Sequence, residues 1–205
     1  SSFGPGAGKT YVSSNLAASF AQTDKKVILI DMDIRKGTLT SHTRLHTEEK
    51  GMTSFLAGKA TTEEIIKHNE ICENLDFIPA GPIAPNPSEL LLSEQLEVMI
   101  AELRNRYDYI FVDNVPVGVV ADAAITNRIA DLTIFVVRVG KLDRRMLPEL
   151  EKIYRSGQLN NMSLVLNGAI VKTSGYGGYG YGYGYGYGYV DGSESSWKRL
   201  FKKKS

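Results

Sequence analysis

The sequence predicts an α/β fold built on a doubly wound, mostly parallel sheet, followed by a disordered tail. Short apolar runs alternate along the chain with longer segments of helical periodicity, and this repetition is typical of a parallel sheet with helices on both faces. The apolar runs are continuous, as in strands that are buried on both faces. After residue 171 the composition changes abruptly to glycine and tyrosine, which predicts the end of the folded domain.

The strands are predicted from short runs rich in valine, isoleucine, leucine and phenylalanine. In chain order these runs cover residues 26–31, 75–79, 109–113, 132–137 and 163–167. The helical segments cover residues 10–22, 88–106, 121–128 and 143–157. Ser88 follows a proline and precedes a glutamate, so we predict that it is the N-cap of the second helix.

The chain divides into a folded domain, residues 1–172, and a flexible tail, residues 173–205. Glycine at every other position forfeits side-chain packing and raises the entropy cost of ordering, so the tail is predicted to be disordered. Residues 191–205 carry five lysines and arginines against two acids, a net charge of +3, and the rest of the chain carries −2. The tail contains seven tyrosines: Tyr176, Tyr179, Tyr181, Tyr183, Tyr185, Tyr187 and Tyr189.

The composition excludes several classes of protein. Hydrophobic residues make up 42% and charged residues 23% of the 205 residues, as in a soluble globular protein. The net charge of +1 argues against a nucleic-acid partner. A single cysteine, Cys72, excludes an internal disulfide and suits a reducing cytosol. We identify neither a transmembrane run nor a signal peptide in the sequence.

The opening segment GPGAGKT is the strongest chemical signal in the chain. Glycines at positions 4, 6 and 8 allow backbone N–H groups to turn toward phosphate oxygens, and the positive end of the following helix adds to the attraction. In such a P-loop, Lys9 reaches the β- and γ-phosphates and the Thr10 hydroxyl ligates Mg²⁺. Phe3 departs from the usual pattern, which has a glycine there. Because a P-loop normally follows a buried strand, we expect a further strand ahead of Ser1 and interpret the chain as a fragment.

Carboxylates follow two of the predicted strands. Asp31 and Asp33 end the run KVILIDMD, and Asp113 ends YIFVD. Ligands bind at the carboxyl ends of strands in open parallel sheets, so these acids are candidates for a magnesium and catalytic site. A turn or helix-capping role is the alternative for each of them, most of all for Asp33.

Together these motifs resemble the cytoplasmic kinase domain of the bacterial tyrosine kinases, within the deviant-Walker branch of the P-loop NTPases. The resemblance rests on GPGAGKT, VILIDMDIRKG, IPAG followed by PNPSELL, YDYIFVDNVPVGVVADA, VVRVG and the tyrosine-rich tail. It runs from Ser1 to about residue 171, and the combination is more particular than any single motif.

The resemblance implies roles for individual residues. Lys9 and Thr10 match the Walker A lysine and hydroxyl, and Asp113 matches the Walker B acid. Asp31 and Asp33 match acids that hold magnesium and orient or deprotonate the incoming tyrosine hydroxyl. We therefore expect Lys9, Asp31, Asp33 and Asp113 to be catalytic, and Thr10, Asp31 and Asp113 to hold the metal.

The same resemblance implies the nucleotide contacts. We expect the backbone of the loop and first helical turn to bind ATP, and Asn167 to contact adenine, although a plain turn residue is an alternative for Asn167. Arg35 stands where the family has its arginine after the paired acids, and residues 85–91 resemble a segment that meets a neighbouring subunit. The expected nucleotide-binding residues are Gly4, Gly6, Ala7, Gly8, Lys9, Thr10, Tyr11 and Asn167.

The resemblance also implies substrates, partners and location. The expected activity is ATP- and Mg²⁺-dependent autophosphorylation of the tail tyrosines, in a homo-oligomeric ring at the cytoplasmic face of the bacterial inner membrane. The expected partners are a transmembrane activator segment, the machinery that exports capsule or exopolysaccharide, and an opposing tyrosine phosphatase. The basic end of the tail, with Trp197, Leu200 and Phe201, either contacts an anionic membrane or serves only to solubilise the chain.

Two departures from the family keep other functions open. Asn114 replaces a hydroxyl residue after the Walker B strand, and Phe3 replaces the first glycine of the loop; either departure is compatible with an ATP-binding scaffold that lacks kinase activity. A nucleotide switch of the partition or septum-site class is the third candidate. Such switches need no tyrosine tail and tend to have a second lysine early in the loop, which SSFGPG lacks. The Gly–Tyr segment is also typical of self-associating sequences.

Overall fold

The computed structural model describes residues 1–43, 50–116, 125 and 128–169. The predicted tail with its seven tyrosines lies outside these residues, as does most of the predicted helix 121–128. The strands are β1 (Val27–Asp31), β2 (Lys67–His68), β3 (Leu75–Ile78), β4 (Tyr109–Asp113), β5 (Ile134–Arg138) and β6 (Ser163–Asn167). The α-helices are α1 (Lys9–Ala21), α2 (Met52–Leu56), α3 (Thr62–Ile65), α4 (Pro87–Leu92), α5 (Gln95–Arg104) and α6 (Leu147–Arg155).

Within the described residues, hydrogen bonds join the strands into a four-stranded sheet, in the order β2-β3-β1-β4, and a two-stranded sheet of β5 and β6. β1 runs parallel to both β3 and β4, and β5 runs parallel to β6. Among the described strands, only the two-residue strand β2 pairs in the antiparallel sense. The predicted α/β fold with a mostly parallel sheet is confirmed.

Strand β1 is buried along its whole length because helices cover both of its faces. Successive side chains of a strand point to opposite sides. Val27 and Leu29 belong to the core cluster that includes the alanines of α1, whereas Ile28 and Ile30 belong to the cluster that includes the apolar residues of α5. Burial of each such aliphatic side chain stabilises the fold by roughly 1.5–3 kcal/mol.

Helix α1 lies directly on β1 and β4. Its buried positions are filled by small residues, Ser14, Ala17, Ala18 and Ala21, and short side chains allow close approach of a helix to a sheet. The start of α1 is thereby held beside the carboxyl ends of the strands, where Asp31 and Asp113 lie.

The prediction of one continuous helix over residues 88–106 is wrong, because the segment forms two helices, α4 and α5. Ser93 takes an extended conformation (φ −65°, ψ 151°) and divides the segment into α4 and α5. Its hydroxyl donates to the Leu90 carbonyl at 2.7 Å, and side-chain-to-backbone bonds of this kind compete with helix continuation. The prediction for the N-cap is also wrong, because Asn86 occupies that position and Pro87 begins the helix. The Ser88 hydroxyl instead accepts a hydrogen bond from Arg35 at 3.0 Å.

Three short elements, α2, α3 and β2, were not predicted. A sequence signal did exist for α3, since Thr61 and Glu64 form a capping box in which each side chain bonds to the other residue's backbone N–H. The predicted strand 132–137 is shifted, because the observed strand begins at Ile134 and ends at Arg138.

A cleft of about 730 Å³ lies between the edges of β4 and β5. Ser1 lines it and pairs with β5, donating to the Ile134 carbonyl and accepting from the Val136 N–H. The strand that we expect ahead of Ser1 stays a prediction.

No helix among the described residues has the length and apolar character needed to cross a bilayer.

Candidate functional site

The glycine-rich loop turns tightly into α1 through two left-handed residues. Gly6 has φ +75° and Gly8 has φ +94°, conformations that other residues adopt only at a cost. Gly8 is the N-cap of α1, and no acidic residue stands in the first turn. The helix therefore presents the positive end of its dipole and its first N–H groups to the loop, as an anion site requires.

Phe3, the departure from the usual P-loop pattern, anchors the beginning of the loop. Its ring meets the Phe135 ring edge-on, with centroids 5.0 Å apart, and packs against the core cluster formed with Leu150, Ile153 and Leu159. The glycine expected at this position is therefore replaced by a side chain that ties the loop to β5 and α6.

Lys9 lies at the start of α1, half-buried, and its Nζ donates to the Ser2 hydroxyl at 3.2 Å. Ser2 is completely buried and its hydroxyl in turn donates to the Gly4 carbonyl at 2.8 Å. Burial lowers the pKa of Lys9, while the carboxylates of Asp113 and Asp33 act in the opposite direction. The ammonium group is thus within electrostatic range of both acids.

Thr10 and Asp113 meet at the end of β4. The Thr10 hydroxyl donates to Asp113 Oδ2 at 2.6 Å, across 103 positions of sequence. Burial raises the pKa of Asp113, against the opposing effects of the Thr10 hydrogen bond and the Lys9 charge. A hydroxyl and a carboxylate beside a phosphate loop form the oxygen donor set that Mg²⁺ takes together with substrate phosphates.

Asp31 is fully buried at the end of β1, opposite Asp113 in the sheet register. Its Oδ2 accepts from the Thr40 N–H at 2.7 Å and the Thr40 hydroxyl at 2.6 Å, and its Oδ1 accepts from the Asp33 N–H at 3.1 Å. Burial raises the pKa of Asp31 to about 6, the hydrogen bonds from Thr40 and Asp33 oppose that rise, and the nearby Asp113 charge adds to it. Asp31 therefore also organises the segment that follows β1.

Asp33 is the more accessible of the paired acids, at 9% exposure. Its Oδ2 accepts from the Thr38 hydroxyl at 2.5 Å and its Oδ1 accepts from the Lys36 N–H at 3.2 Å. Arg35, in the same turn, bonds to Ser88 at the start of α4. The turn that follows Asp33 is thus hydrogen-bonded to α4, which lies in the segment 85–91 for which we expect a subunit contact.

Asn167 ends β6 and donates from Nδ2 to the Ala7 carbonyl at 2.9 Å. Arg138, at the end of β5, donates to the Gly6 carbonyl at 3.2 Å. Tyr11 lies in the first turn of α1 and is half exposed, while its carbonyl accepts from Asn15. The structure therefore brings the predicted residues from the loop, β1, β4 and β6 to one edge of the fold.

Three residues near the site were not predicted: Ser2, Thr40 and Arg138. Arg138 belongs to the VVRVG segment on which the resemblance rests and directly follows the predicted strand 132–137, so its position was a usable signal. Ser2 and Thr40 carry no comparable pattern. The expected phosphoacceptor tyrosines 176–189 lie outside the described residues.

Comparison with known proteins identifies close relatives. A family model described as an AAA domain matches residues 3–160. The tyrosine-protein kinase wzc of Salmonella typhimurium is 39% identical over 176 residues, which make up 85% of this chain but only 24% of that protein. The tyrosine-protein kinase CpsD of Streptococcus pneumoniae is 35% identical over 179 residues, 87% of this chain and 78% of that protein. The solved kinase domain of the Escherichia coli tyrosine kinase ETK superposes with a TM-score of 0.76 at 33% identity, covering 89% of this chain and 71% of that one.

Proposed function

The chain belongs to the bacterial tyrosine kinase family, and from that premise we propose that it transfers the γ-phosphate of ATP to the tyrosines of its own tail. The observation that carries the proposal is the meeting of Lys9, Thr10 and Asp113 at the glycine-rich loop. These residues come from two distant parts of the sequence and provide a cation, a hydroxyl and a carboxylate at one place.

The loop and Lys9 would bind the triphosphate. Phosphoryl transfer requires mainly that the reacting groups be positioned and that charge on the transferred phosphate be neutralised. The N–H groups at the start of α1 and the Lys9 ammonium would provide that positive charge. Their partial burial strengthens the attraction, because water screens it less than at an exposed site.

Thr10 and Asp113 would hold Mg²⁺. Mg²⁺ in phosphoryl-transfer sites is typically bound by one or two carboxylates together with substrate phosphates. Among the described residues, no three His, Cys, Asp or Glu side chains cluster as a metal site, which fits a cation that depends on the nucleotide for its other ligands. When bound, Mg²⁺ would offset charge on the β- and γ-phosphates. Asp31 repels Asp113 electrostatically, and a cation nearby would relieve that repulsion.

We assign Asp33 to the incoming tyrosine. Both acids accept hydrogen bonds on both of their oxygens, so their exposure distinguishes them. Asp31 is completely buried, whereas Asp33 retains 9% exposure and lies within range of the Lys9 charge. The reference pKa of tyrosine is about 10, so the hydroxyl is protonated at neutral pH and gains from a positioned acceptor. Asp33 would accept the hydrogen bond and then the proton of that hydroxyl, as the new O–P bond forms, the β–γ bridging bond breaks and ADP leaves.

The tail would be the substrate because a Gly–Tyr sequence offers many hydroxyls with little steric hindrance, and its tether raises their local concentration. Each phosphate adds about −1.5 to −2 charges, so several would make the tail strongly anionic. We propose that this repulsion loosens a homo-oligomeric ring. By family membership we also propose a transmembrane activator, polysaccharide-export machinery and a tyrosine phosphatase as partners, at the cytoplasmic face of the inner membrane.

The test is incubation of the chain with Mg²⁺ and ATP labelled at the γ-phosphate. Lys9→Met should lower the label on the protein by at least about a hundredfold, as expected when a charge-stabilising group is removed. Lys152→Met is the matched control, since Lys152 is an exposed lysine on α6 and should retain full labelling. Release of free phosphate without labelled tyrosine would favour a nucleotide switch. ADP binding without any turnover would favour a scaffold.

A further inference from the structure

We propose that Arg138 and Asn167 are positioning residues that hold the glycine-rich loop in its phosphate-binding orientation. Each residue ends a strand of the β5–β6 ladder, and the two are direct partners in its register. Their side chains bond to the carbonyls of two consecutive loop residues, Gly6 and Ala7. We call these two side chains, with their bonds to the Gly6 and Ala7 carbonyls, the clamp. Its residues come from strands that follow the catalytic acids in sequence, and its role goes beyond the proposed kinase function.

The planarity of the peptide bond explains what the clamp does. In a trans peptide unit the C=O group and the N–H group of the next residue point in opposite directions. Arg138, by holding the Gly6 carbonyl away from the phosphate side, turns the Ala7 N–H toward it. Asn167, by holding the Ala7 carbonyl, does the same for the Gly8 N–H. Both of these N–H groups belong to the loop that we expect to bind phosphate oxygens.

The loop needs such an anchor because glycine allows many conformations. Gly6 and Gly8 both sit at positive φ, and without external bonds their peptide units would sample other orientations. A loop ordered before the ligand arrives binds it more tightly, since less conformational entropy is lost on binding. The clamp is tight at Gly8, where an added Cβ would lie 2.1 Å from Asn167 Nδ2.

The bond to the loop leaves room for the adenine contact expected of Asn167. A carboxamide has two N–H donors and a carbonyl acceptor. The bond to Ala7 uses one donor, so the second donor and the carbonyl are available to a base. An effect on phosphate binding and an effect on adenine binding are therefore separable by using a probe that has no base.

Lys141 provides a matched control for charge. Its Nζ lies 3.9 Å from the position that a Cβ on Gly6 would occupy, so it approaches the same loop as Arg138. Lys141 and Arg138 are both exposed cations. A general attraction between positive charge and nucleotide would depend on both, whereas the clamp depends on Arg138.

The experiment measures binding of Mg²⁺–ADP and of Mg²⁺–tripolyphosphate to the full chain by calorimetry. Loss of one hydrogen bond to the loop should weaken both ligands by about three- to tenfold in Arg138→Met. Arg138→Gln keeps a donor without the charge and should recover most of that loss. Asn167→Ala should weaken tripolyphosphate as well as ADP, and Lys141→Met should change either affinity by less than about twofold.

Kinetics give a second readout that a merely structural role would not produce. Once ATP is bound its phosphates order the loop, so we expect Arg138→Met to raise the KM for ATP far more than it lowers kcat. The melting temperature of each variant reports whether it is folded.

Several outcomes would overturn the proposal. Unchanged affinity in Arg138→Met would show that the clamp has no effect. The affinity could also fall equally in three variants, Arg138→Met, Arg138→Gln and Lys141→Met, with the differences disappearing at high salt. That result would assign the effect to the general attraction between positive charge and the ligand. An effect of Asn167→Ala on ADP but not on tripolyphosphate would leave that residue only its adenine contact. The proposal rests on the nucleotide site and not on tyrosine transfer, so normal results here with no labelled tyrosine would refute the kinase alone.

Discussion

Replacement of Gly8 by alanine tests the close approach of Asn167 to the glycine-rich loop. At φ +94° an alanine is strained, and the left-handed region costs a residue with a Cβ roughly 1–2 kcal/mol. The new Cβ would also lie 2.1 Å from Asn167 Nδ2, so the Asn167 side chain must swing away and give up its bond to the Ala7 carbonyl. The lost bond adds about 1 kcal/mol, for a total of about 2–3 kcal/mol.

Gly58→Ala is the matched control for this substitution. Gly58 has φ +69°, also in the left-handed region, but a Cβ added there would have no atom within 4 Å. We expect Gly58→Ala to cost only the backbone strain, about 1–2 kcal/mol. Urea denaturation measures both free energies of unfolding, and ADP binding should weaken in Gly8→Ala alone.

The double variant Gly8→Ala/Asn167→Ala isolates the contact between the two residues. Because Gly8→Ala already breaks the Asn167 bond, removal of Asn167 should then cost little more, and the two effects should be non-additive by about 1 kcal/mol. If Gly8→Ala destabilises the chain no more than Gly58→Ala, and if the two changes are additive, the close approach of Asn167 to the loop is refuted.

Two further predictions concern the anchor of the loop and the buried acid. Phe3→Ala should lower the free energy of unfolding by about 2 kcal/mol, because Phe3 is half-buried against Phe135. The control Tyr154→Ala removes an exposed aromatic side chain and should cost less than about 0.5 kcal/mol. Equal urea midpoints for the two variants would contradict the anchoring role of Phe3. Folding raises the pKa of Asp31 from 3.8 to about 6, mainly by burial. The folded chain therefore favours the protonated carboxyl, and the stability that the protonated Asp31 contributes is fully present below pH 3.8. This stability is lost as the pH rises toward 6, by about 3 kcal/mol in total. Without nucleotide or Mg²⁺, the unfolding free energy of the chain should therefore fall over this window relative to Asp31→Asn, and parallel pH profiles of the two proteins would contradict the shift.

The parts of the site that were predictable are those that local sequence encodes. Spacing within GPGAGKT identifies Lys9 and Thr10, because the loop and the helix start form one continuous segment. Asp113 was predictable because an acid at the carboxyl end of a parallel strand lies at the ligand-binding edge of the sheet. The strand pattern likewise predicted β1 and β4, since both are short apolar runs that end in aspartate.

The remainder depends on contacts between segments far apart in the chain. The bond from Arg138 to Gly6 spans 132 positions, and the bond from Asn167 to Ala7 spans 160, so no local pattern encodes either. Phe3 looks like a defect in the motif, and its role becomes clear only when Phe135 is placed beside it. The break at Ser93 was missed because helical periodicity continues through it, while the side-chain bond that ends α4 depends on one rotamer.

The most direct test of the central claim is the site of phosphate addition. We would incubate the chain with ATP and Mg²⁺, digest it and map phosphate by peptide mass, beside Lys9→Met treated in the same way. We predict phosphate on tyrosines between positions 176 and 189, and its loss in Lys9→Met. Phosphate that remains in Lys9→Met, or a wild-type chain that binds ADP yet carries no phosphotyrosine, would contradict it.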